Sequence, residues 1–503
     1  MKRFLILLLC LVFLFTCSFA TACGGDTPDD GGTTIPGEND GEEETPDDGG
    51  ETPDNPDTPV LPTEDVIIEN GIVFELIPGT ANYQVTAYNG DARILTVPDT
   101  IQGFRVTKIC SQAFNKNTTL DEIIFEDDIL EFETNAIYDF GAKQLALTLP
   151  KNVEIFPSTA IMHQTKIRIK SLTMPAHVID QAFTTDSQNQ GLKYVRITKG
   201  EIAAGTFSDQ VNGNTGKTMA RQVETLILDD EVTKVGVDCF RAMKMLKNLT
   251  LSNSLTELPA RAFTHAHNLK EVNIPEGIEK IGEAAFSSCF MLREVTLPAS
   301  LITLGHAFNS SYKINRVTIK EGSKLVDISP YAFDKCVQLF EVVNLSDLPI
   351  DFENEKYAPL TKYAKSIFTD AKQTNYSIEN GYIYYINPEI GEYCLMGTDT
   401  ERLLINDLPQ TIAGQNYKIY DYAFYNESPK GPIIPKGCNY IGPYAFADRG
   451  NTTAMKGANF EDTKGWKTYA NLEAIGTKMD LSSDQANKDF LTKTYASCYW
   501  IKN

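Results

Sequence analysis

One pattern recurs along most of this chain: an alternating strand-like segment, then a proline, an apolar pair and an Ala-Phe dipeptide. Four clear copies stand in series: "LKNLTLSNSLTELPARAF" (246–263), "LKEVNIPEGIEKIGEAAF" (269–286), "LREVTLPASLITLGHAF" (292–308) and "INRVTIKEGSKLVDISPYAF" (314–333). The alanines before the phenylalanines are 23, 22 and 25 residues apart, at Ala262, Ala285, Ala307 and Ala332. A unit this short cannot bury its apolar face alone, so the copies must stack into a solenoid.

Each copy predicts a short strand followed by a turn back toward the core. The alternation of apolar and polar residues is typical of a half-buried strand, and the proline ends it. Weaker copies extend the series upstream, through Ala113, Ala136, Ala160, Ala182, Thr206 and Cys239. The last of these steps is lengthened by an insertion at 208–221, which repeat proteins tolerate as a loop.

The consensus resembles the BspA-like class of leucine-rich repeats, which occurs in bacterial surface lipoproteins. The resemblance covers roughly residues 66–450 and is specific, because strand, proline, apolar pair and Ala-Phe recur in one order. It implies an α/β solenoid of the leucine-rich repeat horseshoe type, strand-rich with short helical turns. It also implies a non-repeat cap at the C-terminal end.

The array is predicted to stop and start again. Residues 69–114 parallel residues 379–424, which places a first repeat array at 66–345 and a second repeat segment at 379–450. The connecting stretch 346–378 is predicted to contain a helix, because apolar residues stand at helical spacing: Leu360, Tyr363, Ala364, Ile367 and Phe368. We interpret this helix as packed on the solenoid; a helix that binds a membrane or a partner is the alternative.

The N terminus predicts an exported protein. Residues 1–22 combine a basic start, an apolar run and a final "ATA", which is the pattern of a cleaved signal peptide. "ATAC" also resembles the bacterial lipobox, which implies lipidation at Cys23 and a membrane attachment through that lipid alone. Ala20 stands where the lipobox usually has Leu. Cleavage after Ala22 and secretion is therefore the alternative.

Residues 23–65 are predicted to be the lipidated cysteine and a disordered acidic linker. Positions 24–65 contain 15 acidic residues and no Lys or Arg. Such a segment cannot bury enough apolar surface to offset its ordering entropy, and its like charges keep it extended. We interpret it as a spacer that carries the repeats away from the membrane to the cell surface.

The charge of the chain argues against a nucleic-acid partner. The formal net charge is −22, and the linker supplies much of it. The rest of the chain is mildly acidic and shows no basic stripe for phosphates.

The sequence contains no catalytic constellation, so we predict no enzyme and no cofactor. His265 and His267 form a close pair, but no third ligand accompanies them, which makes a metal site a poor interpretation. Cys289 and Cys336 both lie three residues after the repeat phenylalanine, which predicts a small buried slot and not a disulfide framework.

The candidate binding residues come from the strands. In Leu-x-x-Val-x-Ile the third and fifth positions face outward, and stacking converts them into two columns on the concave face. The third-position column is Ser171, Tyr194, Thr225, Asn248, Glu271, Glu294, Arg316 and Glu341. The fifth-position column is Thr173, Arg196, Ile227, Thr250, Asn273, Thr296 and Thr318. We predict ligand binding at the polar members from Ser171 to Thr318, although Thr is also a good strand residue for its own sake.

The C-terminal stretch 451–503 leaves the repeat pattern and is predicted to be a cap, since an open solenoid end exposes apolar surface and strand edges. Trp466, Tyr499 and Trp500 would form the core of this cap; a platform on which sugars stack is the alternative.

These features predict a lipid-anchored leucine-rich repeat protein that acts by binding. The resemblance implies adhesion to host proteins, extracellular matrix or the surface proteins of neighbouring cells. Few aromatic residues lie in the columns, which favours a protein partner over a sugar. The alternatives are a glycan-binding surface protein, with polysaccharide as partner, and an extracellular hydrolase accessory with a site in the insertion or the C-terminal segment. The sequence leaves the oligomeric state open.

Overall fold

The computed structural model describes residues 61–138, 144–157, 159–161, 168–179, 191–208, 210–211, 214–215, 222–399, 408–425, 427, 433–447, 459–474, 476–478 and 496–502. The expected signal peptide, Cys23 and nearly all of the linker lie outside the described residues, as do Ala182 and most of the insertion. Residues 61–503 form one compact unit. No helix in the part that the structure describes is long and apolar enough to cross a membrane.

The first sheet covers the start of the repeat array. With the strands numbered along the chain, it contains β1 (Val66–Glu69), β2 (Ile72–Leu76), β3 (Tyr83–Tyr88), β5 (Thr100–Ile101), β6 (Phe104–Ile109) and β8 (Glu131–Phe132). The first three strands pair antiparallel, and the pairing becomes parallel from β3 to β6.

One strand from each repeat joins a parallel ladder, which we call the front ladder. Its first seven strands are β4 (Ile94–Val97), β7 (Glu122–Phe125), β9 (Gln144–Thr148), β10 (Arg168–Met174), β11 (Tyr194–Ile202), β14 (Thr225–Val235) and β15 (Asn248–Thr250). Five more follow as a second sheet: β17 (Glu271–Val272), β19 (Glu294–Leu297), β21 (Arg316–Ile319), β23 (Glu341–Asn344) and β24 (Ser366–Phe368). In β19, Val295 and Leu297 are buried while Glu294 is exposed, as the alternation of a pleated strand requires.

A second parallel ladder, the side ladder, forms between the front-ladder strand and the Ala-Phe dipeptide of four successive repeats. It contains β16 (Glu257–Leu258), β18 (Lys280–Ile281), β20 (Thr303–Leu304) and β22 (Asp327–Ile328). Two short pairs lie apart from both ladders: β12 (Gln210–Val211) with β13 (Asn214–Thr215), and β29 (Ile433–Ile434) with β31 (Asn459–Phe460). The described residues contain very little helix, and the predicted strand-rich solenoid is confirmed.

The repeat phenylalanines stack into one continuous column inside the solenoid. Ring centroids of successive members are 5.1 to 5.6 Å apart, with interplanar angles of 6° to 21°, at Phe207, Phe240, Phe263, Phe286, Phe308 and Phe333. The backbone N–H of Phe286 donates to the Ala307 carbonyl of the next repeat at 2.8 Å. Cys289 and Cys336 are buried beside this column and are not in a disulfide, as the repeat pattern predicts.

The helix predicted in the 346–378 stretch is present but does not extend to Phe368. Only Ala358–Thr361 is α-helical, preceded by a 3-10 turn at Glu355–Tyr357; a second 3-10 turn lies far upstream at Ala176–Val178. Ser366–Phe368 instead forms β24 and pairs in parallel with β23. These residues form a strand because the open edge of β23 supplies backbone hydrogen-bond partners. A helix at the same place would leave those groups of β23 unpaired.

The second repeat segment begins as the first one does, with three antiparallel strands and then a parallel one. Its sheet contains β25 (Tyr376–Glu379), β26 (Tyr382–Ile386), β27 (Tyr393–Thr398), β28 (Tyr417–Ile419), β30 (Cys438–Ile441), β34 (Tyr499–Lys502), β32 (Trp466–Tyr469) and β33 (Thr477–Lys478), in that spatial order. The C-terminal strands thus pair directly with the last repeat strand, β30.

The second segment folds back against the late repeats of the first array. A column of aromatic side chains, the junction column, connects the two: His267, Phe290, Tyr312, Tyr422 and Tyr444. Successive rings in this column stack at centroid distances of 4.0 to 5.5 Å. Offset stacking at these distances adds to the free energy gained from burial alone.

Candidate functional site

The structure brings most of the predicted columns into register. Parallel pairing aligns four neighbours of the third-position column, Ser171, Tyr194, Thr225 and Asn248. It also aligns Glu271, Glu294, Arg316 and Glu341. The fifth-position residues align in the same way in Thr173, Arg196, Ile227 and Thr250, and in Thr296 and Thr318.

These columns differ in exposure along the array. Asn248, Glu271, Glu294, Thr250, Asn273 and Arg196 are exposed, and the remaining members up to Thr318 are half-buried, apart from Arg316. Arg196 is engaged by its neighbour Asp229, since its Nε donates to that carboxylate at 2.9 Å. Asn248 Nδ2 donates to Thr225 Oγ1 at 3.2 Å, whereas Glu271 and Glu294 make no side-chain hydrogen bond or ion pair with the described residues. We take the exposed part of the face around these three residues as the candidate contact surface.

The prediction that Arg316 faces a ligand is wrong. Its side chain is buried, and it donates to the Glu341 carboxylate at 2.7 Å and to the Ala371 and Gln373 carbonyls at 2.7 and 3.0 Å. The segment that leads from β24 to β25 covers this end of the front ladder. Burial raises the pKa of Glu341, while the backbone N–H of Asn375 and the Arg316 guanidinium oppose that rise.

A cleft of 590 Å³ lies at the exposed part of the face. One wall is the front ladder, with two rows of side chains: Lys247, Lys270 and Arg293, and beside them Asn248, Glu271 and Glu294. The other wall comes from the second segment, where β27 ends at Thr398 and Asp399. The cleft volume is within the range of sites that hold small ligands or a few side chains of a partner.

A cluster of buried charges forms the floor beside this cleft. The Lys313 ammonium and the Arg293 guanidinium both pair with the Glu427 carboxylate, and the Thr398 hydroxyl donates to the same carboxylate at 2.7 Å. Lys313 is fully buried. Burial lowers the pKa of Lys313 to about 8, and it also lowers the pKa of Arg293. Two cations thus share one anion at the floor of the cleft.

The buried Lys313 predicts a stability gain in mild alkali. Because its folded-state pKa of about 8 is below the ordinary lysine value of 10.5, the unfolded chain holds the proton over a pH range where the folded chain has released it. Stability therefore rises with pH through this window. From pH 7 to pH 9 the wild type should gain about 1 kcal/mol relative to Lys313→Met.

Urea unfolding of both proteins at pH 7, 8 and 9 measures this difference, in which the contributions of cysteine and tyrosine cancel. Lys313→Arg stays charged at pH 9 and should also lack the gain. A stability difference between wild type and Lys313→Met that is constant with pH would contradict a buried, titrating Lys313.

The histidine pair has a packing role. The His267 ring is buried and stacks on Phe290 at a centroid distance of 4.6 Å, and the His265 ring lies 5.7 Å from it. Within the residues that the structure describes, no group of three or more His, Cys, Asp or Glu side chains could hold a metal ion.

The alternative of a tryptophan platform for sugars is contradicted by burial. Trp466 and Trp500 are each 1 % exposed and pack on Phe460, with Trp466 Nε1 donating to the Asp462 carbonyl at 3.0 Å. Tyr499 is half-buried. Neither indole presents a face to solvent, so a stacked sugar has no surface here.

Sequence reasoning missed the basic row and the second wall. Lys247, Lys270 and Arg293 occupy one repeat position, immediately before the third-position column, so the period contained the signal. Thr398 and Asp399 gave no signal, because they reach the cleft only through the fold of the second segment.

The ladders and the core column define a leucine-rich repeat solenoid. In this class of protein the stacked repeats form an extended binding surface. The family described as BspA type leucine rich repeat region matches residues 94–212, 219–340 and 417–471 in six copies. The chain belongs to this family. Comparison with curated proteins finds no match.

The solved structures that resemble the chain include three bacterial proteins. A leucine-rich repeat protein from Bacteroides ovatus is 14% identical, with 76% of this chain and 94% of that chain covered and a TM-score of 0.29. The pneumococcal vaccine antigen PcpA is 17% identical, with coverages of 61% and 98% and a TM-score of 0.22. A leucine rich cell surface protein from Faecalibacterium prausnitzii is 14% identical, with both coverages at 78% and a TM-score of 0.16.

Proposed function

We propose that this protein is a cell-surface binding protein that recognises a protein partner with its front ladder. Membership of the repeat family supports a scaffold for interaction, and adhesion is the finer function that we infer. The partner would be a host protein, extracellular matrix or a surface protein of a neighbouring cell. The proposal assigns the chain a binding role and no catalytic one.

The observation that carries the proposal is the state of Glu271 and Glu294. The two residues face each other in parallel register, about 4.8 Å apart by strand spacing. Both are exposed, and neither side chain has a hydrogen bond or ion pair with any residue that the structure describes. Like charges directly opposite each other destabilise a sheet. A partner that neutralises both carboxylates at the mouth of the cleft would remove this repulsion.

Display outside the cell is the second part of the proposal. The signal-peptide pattern of residues 1–22 supports export, and the acidic linker that follows supports a distance between the repeats and the membrane. Lipidation at Cys23 would attach the chain; cleavage after Ala22 would release it as a secreted protein. Mass spectrometry of the mature N terminus distinguishes the two.

The binding role is tested with residues 61–503, which form a compact unit. Immobilised protein is offered host matrix proteins and polysaccharides in parallel. We expect the protein to capture a protein partner. Changing Asn248, Glu271 and Glu294 together to Ala should reduce that capture about tenfold or more, because several contacts to one partner are then lost at once.

A matched triple variant provides the control. Like the tested triple, Thr256, Glu257 and Glu279 comprise one neutral polar residue and two glutamates. All three are exposed near the side ladder. Changing these three to Ala should leave capture unchanged. Polysaccharide capture that survives the Asn248, Glu271 and Glu294 changes would contradict the proposal.

A further inference from the structure

The cleft combines two kinds of charge in adjacent rows, and this arrangement constrains what can occupy it. In two neighbouring repeats of the front ladder a basic residue immediately precedes an acidic one: Lys270 precedes Glu271, and Arg293 precedes Glu294. All four side chains line the cleft. The inference below rests on the proposed binding function and specifies its partner.

The acidic row can receive a cation from outside. Glu271 and Glu294 have no partner among the described residues, and Asp399 on the opposite wall likewise makes no side-chain hydrogen bond or ion pair there. Three carboxylates that converge on one cleft repel one another more strongly as water is excluded. A Lys or Arg side chain of a partner placed between them would relieve this repulsion.

Two members of the basic row, Lys270 and Arg293, can receive an acidic group from outside, whereas Lys247 already pairs with Glu224. The Lys270 ammonium pairs with no described carboxylate. The Arg293 guanidinium uses Nη2 for the Thr398 carbonyl at 3.1 Å and for Glu427, while its Nη1 is buried without any hydrogen-bond partner. A buried donor that stays unpaired costs free energy, so it marks a place where a ligand acceptor would be favoured.

We infer that the cleft binds a polypeptide segment that carries an acidic and a basic side chain two residues apart. In an extended segment, residues two apart point to the same side, so such a pair can face both rows at once. The acidic side chain lies at Lys270 and Arg293, and the basic side chain lies among Glu271, Glu294 and Asp399. A nucleic acid or another polyanion is disfavoured, because it would bring phosphates against three carboxylates.

Fluorescein-labelled heptapeptides test this inference by anisotropy with residues 61–503. One peptide alternates Lys-Gly-Glu-Gly-Lys-Gly-Glu; the others have Lys only, Glu only, or Ser in the charged positions. The mixed peptide should bind about tenfold tighter than each of the others, since only it satisfies both rows.

Variants of the cleft assign the contacts. Lys270→Gln and Glu294→Gln should each weaken the mixed peptide about fivefold or more, because each removes one of the two charges that the peptide meets. Lys280→Gln, exposed on β18 of the side ladder, is the control and should change nothing. Circular dichroism of each variant establishes that the fold is retained.

Three results would overturn the inference. If the Lys-only peptide binds as tightly as the mixed peptide or tighter, and Lys270→Gln increases its affinity, the cleft is a purely cation-binding site. If the Glu-only peptide binds as tightly as the mixed peptide or tighter, and Glu294→Gln increases its affinity, the cleft is an anion-binding site. The third result is that no peptide binds above the Ser control while a protein partner is still captured through Asn248, Glu271 and Glu294. It would reject the segment with paired acidic and basic side chains and leave the proposed function intact.

Discussion

Replacing Phe286 by Ala should lower the free energy of unfolding by about 3 to 5 kcal/mol, as for other buried Phe-to-Ala changes. The Phe286 side chain is fully buried, and its ring stacks between Phe263 and Phe308 at centroid distances of 5.4 and 5.6 Å. Its removal leaves a cavity and interrupts the column at the centre of the array. Neighbouring repeats cannot close the gap, because their spacing is set by the strand ladders.

Urea unfolding followed by circular dichroism measures this change. Glu271 lies in the same repeat but is exposed, so Glu271→Ala should alter the free energy of unfolding by less than about 0.5 kcal/mol. A loss below about 1 kcal/mol for Phe286→Ala would show that the column does not stabilise the array.

Arg316→Met should also cost about 3 to 5 kcal/mol, because it leaves the Glu341 carboxylate buried without its cation. Glu341 is fully buried, and its remaining partners among the described residues are the Thr374 hydroxyl at 3.0 Å and the Asn375 backbone N–H at 2.6 Å. The covering segment would lose its two carbonyl bonds to the guanidinium as well.

The double variant Arg316→Met with Glu341→Gln separates lost charge pairing from lost packing. Removing both charges should restore more than half of the stability lost in Arg316→Met, since a buried ion pair is often replaceable by neutral groups. Thermal unfolding and urea unfolding of the wild type, Arg316→Met, Glu341→Gln and the double variant measure this. Additive losses in the double variant would show that the two charges do not interact in the folded state.

The period of the sequence was sufficient to predict the solenoid and its core. Phe263, Phe286 and Phe308 recur at the repeat spacing, and stacked repeats can place them only in one column. The outward positions of β15, β17 and β19 followed from the same alternation, which the pleat of each strand enforces.

The period could not predict what covers the end of the ladder. Arg316 has the same repeat position as Glu294, yet one is buried and the other exposed. The difference comes from residues 371–375, which lie far along the chain and fold back by tertiary contact. A repeat pattern describes neighbours in the stack and contains no information on a later segment that packs against them.

The insert shows a similar limit. Leu360, Ile367 and Phe368 have helical spacing, but only Ala358–Thr361 is helical and Ser366–Phe368 is a strand. Short apolar runs fit either structure, and here the unpaired edge of β23 decides.

The junction column has a consequence for the cost of binding. The two walls of the cleft come from residues more than 100 positions apart, as the hydrogen bond from Arg293 to Thr398 shows. Stacking of Tyr312 on Tyr422 holds the two repeat segments together before any partner arrives. A ligand therefore meets walls that are already in place and loses little conformational entropy of the receptor on association, so weak individual contacts can still give useful affinity.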